Sequence, residues 1–320
     1  MKDVISTIHL LGVLPVVVIE DTDNALPLAR ALVKGELPCA EITLRTDAAL
    51  GAIERISSAM PDFLVGAGTV LSVDQAEAAI KAGAKFIVMP GMDEKVINYC
   101  LERNVPVIPG CSTASEIQRA LAMGLTLVKF FPAEQNGGLP FLKALGEPYK
   151  EMRFMPTGGI NLDNLKNYLD WDRVIACGGS WIATSEMIKH HRFDEISQNA
   201  KEAVQKVLGF QIKHVGINCN NEIDAINGAQ KFQNIFGFVK KEGDTNCFAG
   251  SDIELLKSPY LGEMGHIAIG TNNIERAIDS LHRKGIEIAS ETSVFSPDGK
   301  KVAVYMKEEI CRFAIHLLQV

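Results

Sequence analysis

The sequence predicts an α/β protein in two parts: a (β/α)8 TIM barrel over residues 1–210, then a smaller α+β domain of two βαβββ repeats over residues 211–320. Three observations predict it. Eight short β-branched runs recur at intervals of roughly 20 to 27 residues, with amphipathic segments between them. These runs are nearly continuous in apolar residues, as strands covered on both faces by helices must be. From Ile212 onward the rhythm changes to alternating apolar and polar residues, with one helical segment in each half.

The runs are Val13–Ile19, Ala40–Leu44, Leu64–Gly68, Phe86–Met89, Val107–Pro109, Leu127–Phe130, Arg153–Thr157 and Val174–Cys177. Helical periodicity marks Asn24–Lys34, Val73–Ala82, Asp93–Arg103 and Thr113–Met123. Asn24, Asp47, Ser72 and Ser112 stand where N-caps are expected, and Gly35, Gly83 and Gly124 stand just past helix ends. An open doubly wound sheet is the competing arrangement, but no GxGxxG follows the first run. After a helix at Phe193–Leu208 comes His214–Cys219 as a strand, a helix around Asp224–Ile235, and short strands to about Leu256. Gly265–Gly270 opens the series again, with a helix at Asn273–Lys284 and strands at Ile286–Ala289, Lys301–Met306 and Cys311–Leu318. No Pro/Gly/Ser linker separates the parts, so a tight junction is expected near Phe210.

Composition narrows the function. Hydrophobic residues make up 47% and charged residues 22%, enough apolar material for a full core, which excludes a disordered chain. Lys plus Arg number 32 against 39 Asp plus Glu, a net charge of −7. That balance lacks the basic footprint of a nucleic-acid binder and leaves small molecules as partners. The apolar stretch Ile8–Ile19 is too short to span a bilayer, contains Gly12 and Pro15, and lacks the lead-in and cleavage site of a signal peptide. Seven scattered cysteines without a CxxC pair fit reduced thiols, and a cytoplasmic location is expected.

Barrel chemistry gathers at the C-terminal strand ends. In the second run, period-two alternation puts Glu41, Thr43 and Arg45 on one face, expected to point inward, and Ala40, Ile42 and Leu44 on the other. Charges inside a packed barrel are costly unless paired or used. A silent Glu–Arg pair closing the barrel mouth is the bland alternative. In the sixth run Lys129 stands alone among apolar neighbours. Burial favours the neutral form of an amine, and a neutral amine is what attack on a ketone requires. A lysine merely paired with Glu41 or Glu134 is the structural alternative. Two glycine turns, Pro156-Thr-Gly-Gly-Ile160 and Cys177-Gly-Gly-Ser-Trp181, follow the seventh and eighth runs, where barrels commonly hold phosphate.

Taken together, Glu41-Ile-Thr-Leu-Arg45-Thr, Val65-Gly-Ala-Gly-Thr69-Val, Pro90-Gly, Ile108-Pro-Gly-Cys-Ser-Thr, Lys129-Phe-Phe-Pro-Ala-Glu, Pro156-Thr-Gly-Gly-Ile and Gly178-Gly-Ser-Trp resemble the KDPG/KHG aldolase family. They occur in order across residues 1–209. The resemblance implies a class I, cofactor-independent cleavage of a phosphorylated keto acid, 2-dehydro-3-deoxy-6-phosphogluconate, to pyruvate and glyceraldehyde 3-phosphate. It implies Lys129 as the imine-forming residue and Glu41 as general acid/base. It further implies Arg45 and Thr69 on the carboxylate, Pro90 along the pyruvate end, Gly158, Gly159, Gly179 and Ser180 around the phosphate, and a homotrimer. Where some relatives carry Arg in the first strand, this chain has Val16-Val17-Val18. The choice between phosphorylated substrates and the shorter 4-hydroxy-2-oxoglutarate therefore stays open, as does a metabolite sensor that binds without turnover.

His214-Val-Gly-Ile, Ile253-Glu-Leu-Leu, Gly265-His-Ile-Ala-Ile and Phe313-Ala-Ile-His-Leu-Leu resemble the vicinal oxygen chelate fold of glyoxalase and bleomycin-resistance proteins. The resemblance places His214, Glu254, His266 and His316 at the four positions that chelate metal in metal-binding relatives. Two readings follow: a divalent-metal site, for which such ligands suit Zn, Ni, Co, Mn or Fe, or an inert fold whose histidines fill the cup or face solvent. A regulatory or oligomerising role is expected of this part ahead of a second catalytic one.

Overall fold

A computed structural model of the chain describes residues 3–320, which divide after Val207 into two compact units. In the first, eight parallel strands alternate with helices: β1 (Val13–Val17), β2 (Cys39–Thr43), β3 (Leu64–Gly68), β4 (Ile87–Val88), β5 (Val107–Ile108), β6 (Leu127–Phe130), β7 (Arg153–Pro156) and β8 (Cys177–Gly179). Six of them form one sheet in the order β5-β4-β3-β2-β1-β8, and β6 pairs with β7. Isolated parallel bridges Gly110↔Lys129, Phe154↔Val174 and Thr157↔Gly178 run beside both edges of that pair. Ile42, Val65, Ile87, Val128 and Phe154, on the face opposite Glu41 and Lys129, are fully buried, as parallel strands packed on both faces are.

The strands are shorter than the apolar runs. β4 and β5 stop just before Pro90 and Pro109, which have no amide to extend a ladder. The apolar stretch at the start is two elements. Asp3 caps a helix over Val4–Leu11 by accepting from the Ile5 and Ser6 amides, and Gly12 (φ 72°) turns the chain into β1. Capping also differs from expectation. Ser72 caps the helix Val73–Lys81, but Thr113 rather than Ser112 caps Ala114–Ala122, in a capping box with Glu116. Asn24 and Asp47 precede helices without making a side-chain cap bond.

The second unit carries β9 (Gln211–Asn218), β10 (Lys240–Glu242), β11 (Asn246–Ala249), β12 (Ile253–Leu256), β13 (Gly265–Thr271), β14 (Ile288–Phe295), β15 (Lys301–Met306) and β16 (Phe313–Gln319). Helices Glu222–Phe236 and Ile274–Arg283 follow β9 and β13, so the order strand, helix, three strands occurs twice. The eight strands form one sheet, β10-β11-β12-β9-β13-β16-β15-β14. β9 and β13 meet antiparallel at its centre, and each pairs in parallel with the last strand of its own repeat, β12 and β16 respectively. Ala225 and Ala229 of the first helix pack with Cys247, Ala249 and Leu255. Among the described residues no helix is long and apolar enough to cross a membrane.

Candidate functional site

Lys129 lies within β6 and is held by backbone bonds, its N–H donating to Pro109 O and its carbonyl accepting from Cys111 N, both at 2.8 Å. Its Nζ donates to Glu41 Oε1 across 3.2 Å, and the side chains are 7% and 0% exposed. Glu41 Oε2 is buried with no hydrogen-bond partner among the described residues. A buried acceptor left unmet is costly, so this oxygen is open to a donor. Space for the carboxylate comes from β3: a Cβ on Gly68 would lie 2.2 Å from Glu41 Oε1 and 2.7 Å from its carboxyl carbon. The Phe131 ring, 5.3 Å from Lys129 Nζ, closes another side.

Arg45 differs from its expected inward position. β2 ends at Thr43, where Leu44 N–H donates to Gly68 O and Arg45 N–H to Thr43 O, so the alternation that buries Glu41 and Thr43 stops before Arg45. The Arg45 side chain is exposed, and its Nε donates to Thr69 Oγ1 at 3.2 Å. Thr69 sits at φ 55°, an uncommon conformation for a residue with a branched Cβ. Thr43 Oγ1 instead donates to Val17 O at 2.9 Å.

Of the glycine turns, Gly158 and Gly159 adopt φ 98° and 78°, closed to most side chains, and a Cβ on Gly159 would strike Glu134 Cγ at 2.5 Å. The bridge Thr157↔Gly178 places this turn beside the end of β8, where Gly179 is buried and Ser180 exposed. Pro90, half-buried after β4, presents its carbonyl where a Cβ on Gly110 would lie. The structure thus joins Lys129 to Glu41 and Arg45 to Thr69. Sequence reasoning missed Gly68, although its Gly-Ala-Gly setting was the available signal.

In the second unit, His214 on β9, Glu254 on β12, His266 on β13 and His316 on β16 lie on four adjacent strands. Each repeat contributes one residue from its first strand and one from its last. Period-two alternation gives them a common face with Gly216, Ala268 and Ala314, whose small size leaves the space open. His214 Nε2 and His266 Nε2 are 3.0 Å apart, and they lie 3.2 and 3.1 Å from Glu254 Oε2. One ring nitrogen from each of His214, His266 and His316 lies within 4.8 Å of the others. His316 Nε2 is buried without a partner. A Cβ on Gly216 would fall 2.1 Å from His266 Cε1, so that ring occupies the glycine's side-chain space. Burial, then the neighbouring His266 and His214, pushes His316 down to about 4, which leaves it neutral at pH 7. For Glu254, burial pushes upward but hydrogen bonds from His214, His266 and Asn246 outweigh it and hold the carboxyl well below the usual carboxylate range. Tyr305 stacks on His316 at 4.7 Å.

An amine and a carboxylate buried together in a parallel βα unit is the arrangement used by enzymes that act on carbonyl compounds through a lysine, and equally that of a silent pair. The comparisons agree with the first. The family model described as "KDPG and KHG aldolase" matches residues 4–199, and the chain belongs to that family. A 2-dehydro-3-deoxy-phosphogluconate aldolase of Treponema pallidum is 45% identical over 207 residues, 65% of this chain and 99% of its own length. A KHG/KDPG aldolase of Escherichia coli K12 is 42% identical over 193 residues, 60% of this chain and 91% of its own. In solved structures, a KDPG aldolase of Legionella pneumophila with pyruvate captured as a covalent carbinolamine superposes with a TM-score of 0.61 at 38% identity. That match covers 63% of this chain and 98% of the Legionella chain.

Proposed function

We propose that the chain is a class I aldolase, a carbon–carbon lyase, that cleaves 2-dehydro-3-deoxy-6-phosphogluconate to pyruvate and glyceraldehyde 3-phosphate through an imine on Lys129. The observation that carries this reading is the aldolase family match over residues 4–199, within which Lys129 Nζ lies buried 3.2 Å from Glu41 Oε1. The parallel strands are read as one closed eight-stranded barrel, supported by the bridges on both sides of the β6–β7 pair. The Lys129 amine attacks the C2 ketone to form a carbinolamine, and loss of water gives a protonated imine. Glu41 removes the C4 hydroxyl proton, the C3–C4 bond breaks, and its electron pair moves through C3 to the imine nitrogen, releasing the aldehyde. Protonation of the enamine at C3 and hydrolysis of the imine then free pyruvate and the amine.

Around this centre, Arg45 and Thr69 bind the substrate carboxylate, Pro90 lines the pyruvate end, and Gly158, Gly159, Gly179 and Ser180 cradle the phosphate. No cofactor enters these steps. A homotrimer in the cytoplasm is part of the same proposal. The experiment that tests it is reduction with borohydride in the presence of pyruvate: one reduced pyruvyl adduct per chain, on Lys129, is expected. Folded protein without an adduct refutes the imine. The space Gly68 leaves for Glu41 adds a prediction. Gly68→Ala pushes the carboxylate off Lys129, and a misplacement of ~1 Å costs about 100-fold in kcat. Steady-state cleavage assays check this, and a wild-type kcat counts against the role of Glu41.

Cleavage of 4-hydroxy-2-oxoglutarate is a second reading, favoured by Val16-Val17-Val18 at the end of the first strand and just past it, and by the double name of the Escherichia coli relative. The kcat/KM ratio for the two substrates decides between them.

For residues 211–320 we propose a vicinal-oxygen-chelate-like domain that holds a divalent metal through His214, Glu254, His266 and His316. Donors about 2.1 Å from an ion lie about 3.0–3.4 Å from one another in octahedral or tetrahedral sets. The separations among His214, His266 and Glu254 fit that requirement, and one ring nitrogen of His316 lies within 4.8 Å of those of His214 and His266. A bound ion would act there as a Lewis acid toward oxygen ligands. Elemental analysis of protein purified without added metal or chelator is expected to find one divalent ion per chain, and less in His266→Ala.

A further inference from the structure

We infer that Asn246 is a positioning residue for the metal-binding set, one that fixes Glu254 as a one-oxygen ligand by occupying its other oxygen. The inference rests on the metal reading of this domain. Asn246 opens β11, and in the antiparallel register Phe248 faces Glu254 while Asn246 faces Leu256. Asn246 and Phe248 share a face of the strand, so the Asn246 side chain reaches Glu254 along the cross-strand diagonal. Its Nδ2 donates to Glu254 Oε1, leaving Oε2 toward His214 and His266 at 3.2 and 3.1 Å. The amide's orientation follows from chemistry, since an ionised carboxylate only accepts. Gly243 leaves room on the other side: a Cβ there would meet Asn246 Oδ1 at 2.8 Å.

The physical consequence concerns geometry more than charge. A free carboxylate offers two oxygens to an ion and rotates between one- and two-oxygen binding. With Oε1 engaged by Asn246, only Oε2 is available, and the carboxylate plane is set before any ion arrives. Without the amide, a buried Oε1 is left unmet, and turning it toward the cluster is the way to satisfy it. Outer contacts of this kind are worth 10–100-fold in metal affinity.

The test uses the full chain, stripped of metal by chelator and dialysed, then titrated with cobalt chloride by calorimetry and visible absorption. Wild type is expected to bind one equivalent. Asn246→Ala and Asn246→Leu are expected to bind 10–100-fold more weakly with an altered cobalt d–d spectrum, because the number of oxygens on the ion changes. Leu fills a similar space without a donor, and Asn246→Gln, which keeps an amide, is expected to recover part of the affinity. Circular dichroism of each metal-free variant is expected to match wild type. Wild-type affinity and spectrum in the Ala and Leu variants overturn the role of Asn246 and leave the metal site standing. Loss in Ala with full retention in Leu assigns Asn246 to packing and overturns it too. No cobalt binding by wild type overturns both.

Discussion

Lys129→Ala is expected to abolish aldol cleavage, lowering kcat by on the order of 10⁴-fold or more, and to remove the borohydride-trapped pyruvate adduct. The amine forms the bond that every later step depends on, so no neighbouring group substitutes for it. Activity near wild type removes the proposed mechanism. The variant also carries a stability cost that must be separated from chemistry. Glu41 is fully buried, and without Lys129 its carboxylate keeps no ionic partner among the described residues. Breaking a buried pair from one side typically costs about 3–5 kcal/mol, whereas replacing both members costs far less. The double variant Lys129→Met with Glu41→Gln is therefore expected to be as inactive as Lys129→Ala but to melt closer to wild type. Thermal melts of the three proteins check this.

Glu41→Gln alone is expected to lower kcat by about 10²–10⁴-fold while preserving the adduct. Gln keeps the shape and an oxygen that accepts from Lys129 Nζ, but it cannot take the C4 hydroxyl proton. Pyruvate already lacks the bond to be cleaved, so trapping on Lys129 persists at a reduced rate where turnover does not. A variant that retains kcat rules out Glu41 as the base. One that loses the adduct as completely as Lys129→Ala makes Glu41 a requirement for amine attack itself.

The βα rhythm of the first part was legible because strand and helix periodicity are local, and near-continuous apolar runs tell of cover on both faces. Lys129 and Glu41 were legible as charges in apolar strands, since an uncompensated buried charge has a cost that a sequence reveals. Arg45 was misplaced for a tertiary reason. Alternation holds only while a strand continues, and β2 stops at Thr43, where Leu44 pairs with Gly68 and the chain turns. The last turn of the N-terminal helix Val4–Leu11 was hidden at the start of the apolar stretch Ile8–Ile19, which Gly12 divides. Ser112 and Thr113 both suit a cap and both amides donate to Glu116 at 2.9 Å; the Glu116 N–H donating to Thr113 Oγ1 chose between them.

By itself the sequence determined the order of elements, the family and the identity of the buried amine, because residue type and spacing carry those directly. The tertiary structure decided what converges. Lys129 is 88 residues from Glu41, and His214 is 52 from His266. Strand register brings such partners together, and register is a property of pairs of strands that neither strand holds alone. The spaces that admit them are equally nonlocal: Gly68 makes room for Glu41, Gly216 for His266 and Gly243 for Asn246. A glycine in the sequence shows only that a side chain is missing, and the neighbour that fills its place is known once the strands are packed.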